Sequence, residues 1–228
     1  MSLAHIVEER ITFRNDGLTL SGVLAYPASK EPLRAALLCS PHPHFAGDMD
    51  NNVIKALARR LAEDSVTLRF DYRGVGESEI RLPPGVSVFD YWSDVEENKD
   101  YADALSDVQA AVEELTRAAG AKKPLHVVGY SFGAITGLMY GAPRAAVRRM
   151  AGISPPLNKI SLAFLADCAK PCLLLGGKND FACSTENMAD VKKIAGRRAE
   201  IALLDADHFF RDEEEILCIR VTEFIRNA

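Results

Sequence analysis

The rhythm of hydrophobic and polar residues changes twice along this chain. At the start, Arg10 to Phe13 and Leu18 to Tyr26 alternate apolar and polar positions around Asn15-Asp16-Gly17. A period of two broken by a turn signal predicts a β-hairpin. Short solid apolar runs follow: Ala35 to Cys39, Val66 to Phe70, Leu125 to Val128, Met150 to Ile153, Cys172 to Leu175 and Ile201 to Leu204. Runs of this kind predict strands covered on both faces, as in a parallel sheet. Between them the period is helical. Val53, Ile54, Leu57, Ala58 and Leu61 predict a helix with Asp50 as its N-cap. Tyr101, Leu105, Val108, Ala111, Val112 and Leu115 predict another, ending at Gly120. Further helices are expected over Phe132–Tyr140, Thr185–Ile194 and Glu213–Ile225. Strand–helix alternation means an α/β fold, a doubly wound and mostly parallel sheet of about eight strands, made mixed by the antiparallel N-terminal hairpin. No repeat, low-complexity stretch or linker divides it, so residues 1–228 read as one domain. Arg81 to Asn98 fits no period and is expected as a long loop, or a short helix with loops, of the kind that often carries function.

Composition narrows the class of function. Hydrophobic residues make up 48% of the 228, too many for a disordered chain. Against 32 Asp+Glu stand 27 Lys+Arg, a net charge of −5, so the cationic excess that phosphate neutralisation needs is missing and no nucleic-acid partner is expected. No run of about 18 apolar residues predicts a membrane span. The first ten residues carry acids where a signal peptide has a basic and then an apolar run, so the expected location is cytoplasmic. Five cysteines stand at 39, 168, 172, 183 and 218. The nearest pair, Cys168 and Cys172, lacks the spacing of a redox or zinc pair, so buried reduced thiols are expected.

The candidate chemistry begins at Gly129-Tyr130-Ser131-Phe132-Gly133, a G-x-S-x-G pentapeptide. It follows a buried run and precedes a helical pattern, the context in which a sharp strand-to-helix turn lifts a serine hydroxyl from the end of a sheet. The following helix offers free N–H groups to a developing oxyanion. A serine nucleophile needs a base, and the base needs an orienting acid. Downstream of Ser131 the sequence holds one histidine, His208, at the carboxyl end of the last apolar run. Asp180 follows the preceding run through Gly176-Gly177-Lys178-Asn179. Asp205 and Asp207 compete for the acid role but share the loop of His208, whereas Asp180 can approach the imidazole from behind.

These residues resemble the α/β-hydrolase superfamily over nearly the whole chain. Within it the sequence is similar to small lidless serine esterases related to dienelactone hydrolases. That group carries a His-Pro-His-Pro segment, a Gly-Gly pair and a Met-Asp-Asn run, matched here by Ser40-Pro41-His42-Pro43-His44-Phe45-Ala46-Gly47-Asp48-Met49-Asp50-Asn51. Ser40 replaces the first family histidine and Ala46 one of the glycines. Asp71-Tyr72-Arg73-Gly74-Val75-Gly76-Glu77-Ser78 matches the turn after the fourth strand. The resemblance implies an α/β-hydrolase fold with no large cap, since the interval from Ile153 to Pro171 is too short for one. It also implies a Ser131–His208–Asp180 triad where dienelactone hydrolases proper use a cysteine. The expected activity is hydrolysis of small or short-acyl carboxylic esters through an acyl-enzyme. Thioesterase and peptidase are the alternatives on the same three residues, and a non-catalytic binding protein is the alternative outside catalysis. The expected oxyanion donors are the N–H of Phe132 with that of His42 or His44, since Pro41 and Pro43 have none. No cofactor and no metal is expected. His42 and His44 beside Asp48 and Asp50 lack a third ligand at a recognisable spacing. Arg73-Gly74-Val75-Gly76 reads as a tight turn rather than a phosphate loop. The expected partner is a small-molecule ester, with no membrane contact and a homodimer left open.

Overall fold

The computed structural model describes residues 5–45 and 47–227. The alternating start folds as a hairpin of β1 (Ile6–Asn15) and β2 (Leu18–Pro27). Asp16 at φ 49° and Gly17 at φ 79° supply the left-handed pair that a two-residue turn requires. The apolar runs become β3 (Arg34–Cys39), β4 (Ser65–Phe70), β5 (Leu125–Tyr130), β6 (Val147–Ile153), β7 (Cys172–Gly177) and β8 (Ala199–Leu204). The helices are α1 (Asn52–Leu61), α2 (Val88–Asn98), α3 (Ala102–Ala119), α4 (Phe132–Gly141), α5 (Thr185–Ala195) and α6 (Glu214–Arg226).

Among the described residues the eight strands form one open sheet in the order β1-β2-β4-β3-β5-β6-β7-β8. The strand β2 runs antiparallel to both β1 and β4, and β3 to β8 run parallel to one another. The register sets Leu37 beside both Leu68 and Val127. Side chains of a strand point to alternate faces, and the apolar runs divide accordingly. Leu37, Cys39, Val127 and Leu174 join the core under α3, α4 and α5. Leu38, Val128, Leu173 and Leu175 join the one under α1 and α6. Each fully buried side chain of this size is worth about 1.5–3 kcal/mol.

Two details differ from the sequence reading, and a third settles on the short helix with loops that it offered. The helix α1 is capped by Asn51, whose side chain accepts from the Val53 N–H. Asp50 is drawn instead to the buried guanidinium of Arg69, 3.3 Å away. The strand β8 is the sheet's edge and is only partly covered on each face: Ala199 and Ala202 are buried on opposite faces, while Glu200 and Leu203 are exposed. The stretch 81–98 holds α2, opened by a capping box in which Ser87 and Asp90 each bond the other's backbone N–H. Only Trp92 and Val95 of this helix are buried, so its apolar period is too thin to read.

Between β6 and β7 the chain forms no α-helix, only a 3₁₀ turn at Ala163–Asp167. The carboxyl edge of the parallel strands therefore has no large cap. All five cysteines are free and buried. Among the described residues no helix is long and apolar enough to cross a membrane.

Candidate active site

Parallel strands deliver their following loops to one edge of the sheet, and there the predicted residues meet. Ser131 stands between β5 and α4 with φ 55° and ψ −115°. A Cβ at Gly129 would lie 1.9 Å from the Gly133 oxygen, and one at Gly133 would lie 2.1 Å from the Cys39 oxygen. Both flanking positions are therefore glycine because the backbone itself occupies the space. The Ser131 N–H donates to the Ile153 carbonyl at 2.8 Å, tying the turn to β6.

His208 follows β8 and Asp180 follows β7. Their loops are stitched together where the Lys178 N–H donates to the Leu204 carbonyl and the Asn179 N–H to the Ala206 carbonyl. The Tyr130 hydroxyl donates to the His208 carbonyl at 2.8 Å. His208 Nδ1 lies 2.9 Å from Asp180 Oδ1 and 3.0 Å from Oδ2, and its Nε2 lies 3.2 Å from Ser131 Oγ. An ionised carboxylate only accepts, so Nδ1 carries the proton and Nε2 turns its lone pair toward the Ser131 hydroxyl. His208 and Asp180 are both buried, at 6% and 7% exposure. Burial pushes the Asp180 carboxyl up, but His208, Ser154 and the Ala182 N–H outweigh it and hold the group below its ordinary value. Asp207 is occupied otherwise: its Oδ1 accepts from the N–H groups of Phe209 and Phe210.

The segment after β3 brings the two predicted histidines to the same edge, with different bonding. The His44 N–H donates to His42 Nδ1 at 3.1 Å, and the Phe45 N–H to the His42 carbonyl. The N–H groups of His42 and Phe132 meet no acceptor among the described residues. Of the two loop candidates, His42 is thus the one with a free donor. The substitution at Ala46 lies outside the described residues. The His42 ring packs edge-on against Phe132 and Trp92, and burial pushes it down to about 4.

The third potential metal ligand is Glu96 of α2, not Asp48 or Asp50. One atom each of His42, His44 and Glu96 lie within 4.8 Å of one another. Hydrogen bonds already assign these groups other work. His44 Nε2 is bonded to the Phe89 carbonyl at 2.7 Å, Glu96 is paired with Lys159 at 2.6 Å, and a His42 that accepts at Nδ1 keeps its proton on Nε2. A cation there would have to displace the His44 N–H from His42, so the cluster serves to clip α2 onto the loop after β3.

Sequence reasoning missed this use of α2, along with the buried partner of Arg73. Asp107 of α3, fully buried, takes the Arg73 guanidinium at 2.8 Å and the Arg73 N–H at 3.0 Å. That pair anchors the tight turn after β4, whose Tyr72 hydroxyl bonds Thr136 of α4 at 2.6 Å. Ser131 opens into a cavity of about 170 Å³, lined by the aromatic Phe132, Phe181 and Phe209 and by the polar His42, Glu96 and Lys159. A larger hollow, about 350 Å³, lies between α1 and α6 and shares no lining residue with it.

The model of the alpha/beta hydrolase family matches residues 36–217. An uncharacterized protein of Rickettsia prowazekii (strain Madrid E) is 28% identical over 200 residues, covering 83% of this chain and 77% of that one. Among solved structures, an alpha-beta serine hydrolase homologue from Coxiella burnetii superposes with a TM-score of 0.79 at 24% identity, covering 96% of this chain and 97% of the other. A lidless a/b serine hydrolase from Xanthomonas campestris gives 0.77 at 22% identity, covering 96% and 94%. An esterase of Pyrococcus furiosus gives 0.75 at 16% identity, covering 97% and 93%. The fold is common to all three structures, and the match over residues 36–217 places the chain in the alpha/beta hydrolase family.

Proposed function

We propose that the protein is a serine hydrolase that cleaves small or short-acyl carboxylic esters, with Ser131 as nucleophile, His208 as general base and acid, and Asp180 as the orienting acid. The observation that carries this reading is the continuous line from Ser131 Oγ through His208 to Asp180, 3.2 Å and 2.9 Å long. The Ser131 hydroxyl attacks the acyl carbon while His208 Nε2 takes its proton. The imidazolium is stabilised by Asp180 and returns the proton to the leaving alcoholate. A water activated by His208 then cleaves the acyl-enzyme. The N–H groups of Phe132 and His42 are the proposed oxyanion donors, each worth a few kcal/mol in the transition state.

The cavity of about 170 Å³ and the lack of a large cap favour short acyl groups. A fluorophosphonate should label Ser131 in the native protein and fail to label Ser131→Ala. A series of p-nitrophenyl esters should be hydrolysed fastest at short chain length. Absence of labelling would refute catalysis and leave the binding-protein alternative, and a maximum at long chains would refute the proposed substrate size. Matched thioester and amide substrates separate esterase from thioesterase and peptidase.

A further inference from the structure

Ser154 follows β6 directly, and three observations set it apart. It is fully buried, it holds φ 44° although it is not glycine, and its hydroxyl has no hydrogen-bond partner among the described residues. Any one of these carries a cost, and left-handed backbone at a non-glycine residue persists where surrounding structure demands it. The demand on the backbone is visible. The Ser154 N–H donates to the Leu175 carbonyl of β7 at 2.7 Å, one strand over from the bond between the Ser131 N–H and the Ile153 carbonyl. The two residues thus form consecutive steps of one ladder that crosses the strand ends from nucleophile to acid. Backbone demand alone would be met better by glycine, which adopts this φ freely. It leaves the hydroxyl unexplained.

The acid supplies the explanation. Asp180 Oδ1 is fully engaged: it receives the Ala182 N–H at 2.8 Å, the Cys183 N–H at 3.1 Å and His208 Nδ1 at 2.9 Å. Among the described residues Oδ2 receives only His208 Nδ1, at 3.0 Å. A buried carboxylate oxygen short of a donor and a buried hydroxyl short of an acceptor therefore occupy the same strand-end cluster. We propose that Ser154 is a positioning residue whose hydroxyl donates to Asp180 Oδ2, holding the carboxylate plane against the imidazole as His208 becomes charged. The inference rests on the triad reading above. In the resting structure the Ser154 hydroxyl makes no hydrogen bond among the described residues, although it acts to lower the Asp180 carboxyl. Catalytic hydrogen bonds that are loose in a free enzyme tighten in its complexes.

The test uses Ser154→Ala and Ser154→Gly in the full chain. Glycine removes the hydroxyl and also suits the backbone, so Ser154→Gly should fold with undiminished thermal stability even where alanine does not. Losing a donor to the carboxylate makes Asp180 more basic and its pull on the imidazolium stronger. The acid limb of the pH–rate profile should therefore move to higher pH by about half a unit, and kcat for ester hydrolysis should fall about tenfold with KM little changed. In an Asp180→Asn background, Ser154→Gly should cost nothing further in the rate of fluorophosphonate labelling. A Ser154→Gly enzyme with the parent's kcat and acid limb overturns the proposal, as does an equal cost in both backgrounds. If the parent itself is not labelled at Ser131, or if Asp180→Asn leaves labelling unchanged, the triad reading fails and this inference falls with it. A labelled parent that is indifferent to Ser154→Gly removes this inference alone.

Discussion

Ser131 sits at φ 55°, where a side chain crowds its own backbone. Close backbone contacts at Gly129 and Gly133, and the bond to the Ile153 carbonyl, hold it there. The conformation belongs to the turn and not to the hydroxyl. Ser131→Ala should therefore keep the fold, with a melting temperature within a few degrees of the parent, while ester hydrolysis drops on the order of 10³-fold or more. Asp180→Asn should keep the geometry and lose activity to a comparable degree, because an amide N–H facing Nδ1 favours the wrong imidazole tautomer. Steady-state kinetics on a short p-nitrophenyl ester checks both. At this scale the proposed nucleophile, base and acid could be named because each follows a buried apolar run in the order that a parallel sheet brings to one edge. The loop donors were not, since the sequence shows which residues have an N–H but not that the His44 N–H is consumed by His42. Ser154 gave no sequence signal, because a strained φ and an unpartnered hydroxyl are properties of packing.

The element that changes the picture most is α2. Its Trp92 is fully buried and packs edge-on against Tyr72, Phe132 and His42, and so touches the turn after β4, the start of α4 and the loop after β3 at once. Trp92→Ala should cost about 3–5 kcal/mol of stability by leaving a large cavity, measured by urea unfolding. It should also lower kcat at temperatures where the variant is still folded, because Phe132 and His42 supply the proposed oxyanion donors. The Ser87/Asp90 capping box was present in the sequence, but with two buried positions the helix lacked the stripe that reveals its neighbours. In α1 and α3 five and eight buried residues wrote the helical period plainly. The strand β8 shows the opposite limit: its apolar run read as fully covered on both faces, whereas at the sheet's edge each face is covered only in part.

Across the molecule, the sheet separates two cores and places charge or polarity between them at few points. His126, near the start of β5, is fully buried with neither ring nitrogen partnered among the described residues. Burial, reinforced by Arg34, Arg149 and Arg148, pushes it down to about 4 from 6.5. A base depressed on folding stabilises the native state above its unfolded value, and that stability is lost as pH falls from 6.5 through 4. His126→Leu removes the dependence, so the variant's stability relative to the parent should rise by about 3 kcal/mol between pH 7 and pH 4, read from urea midpoints. The same partition governs the thiols. Burial pushes Cys39, Cys183 and Cys218 up to about 12 and Cys172 higher still, and Cys168 is buried too. Iodoacetamide needs a thiolate, so the folded chain should stay unmodified and fully active in it. On the proposed mechanism an organophosphorus ester would then meet a single reactive oxygen on a silent background. The mass of one adduct per chain becomes a direct count of competent molecules, a titrant that needs no knowledge of the natural substrate.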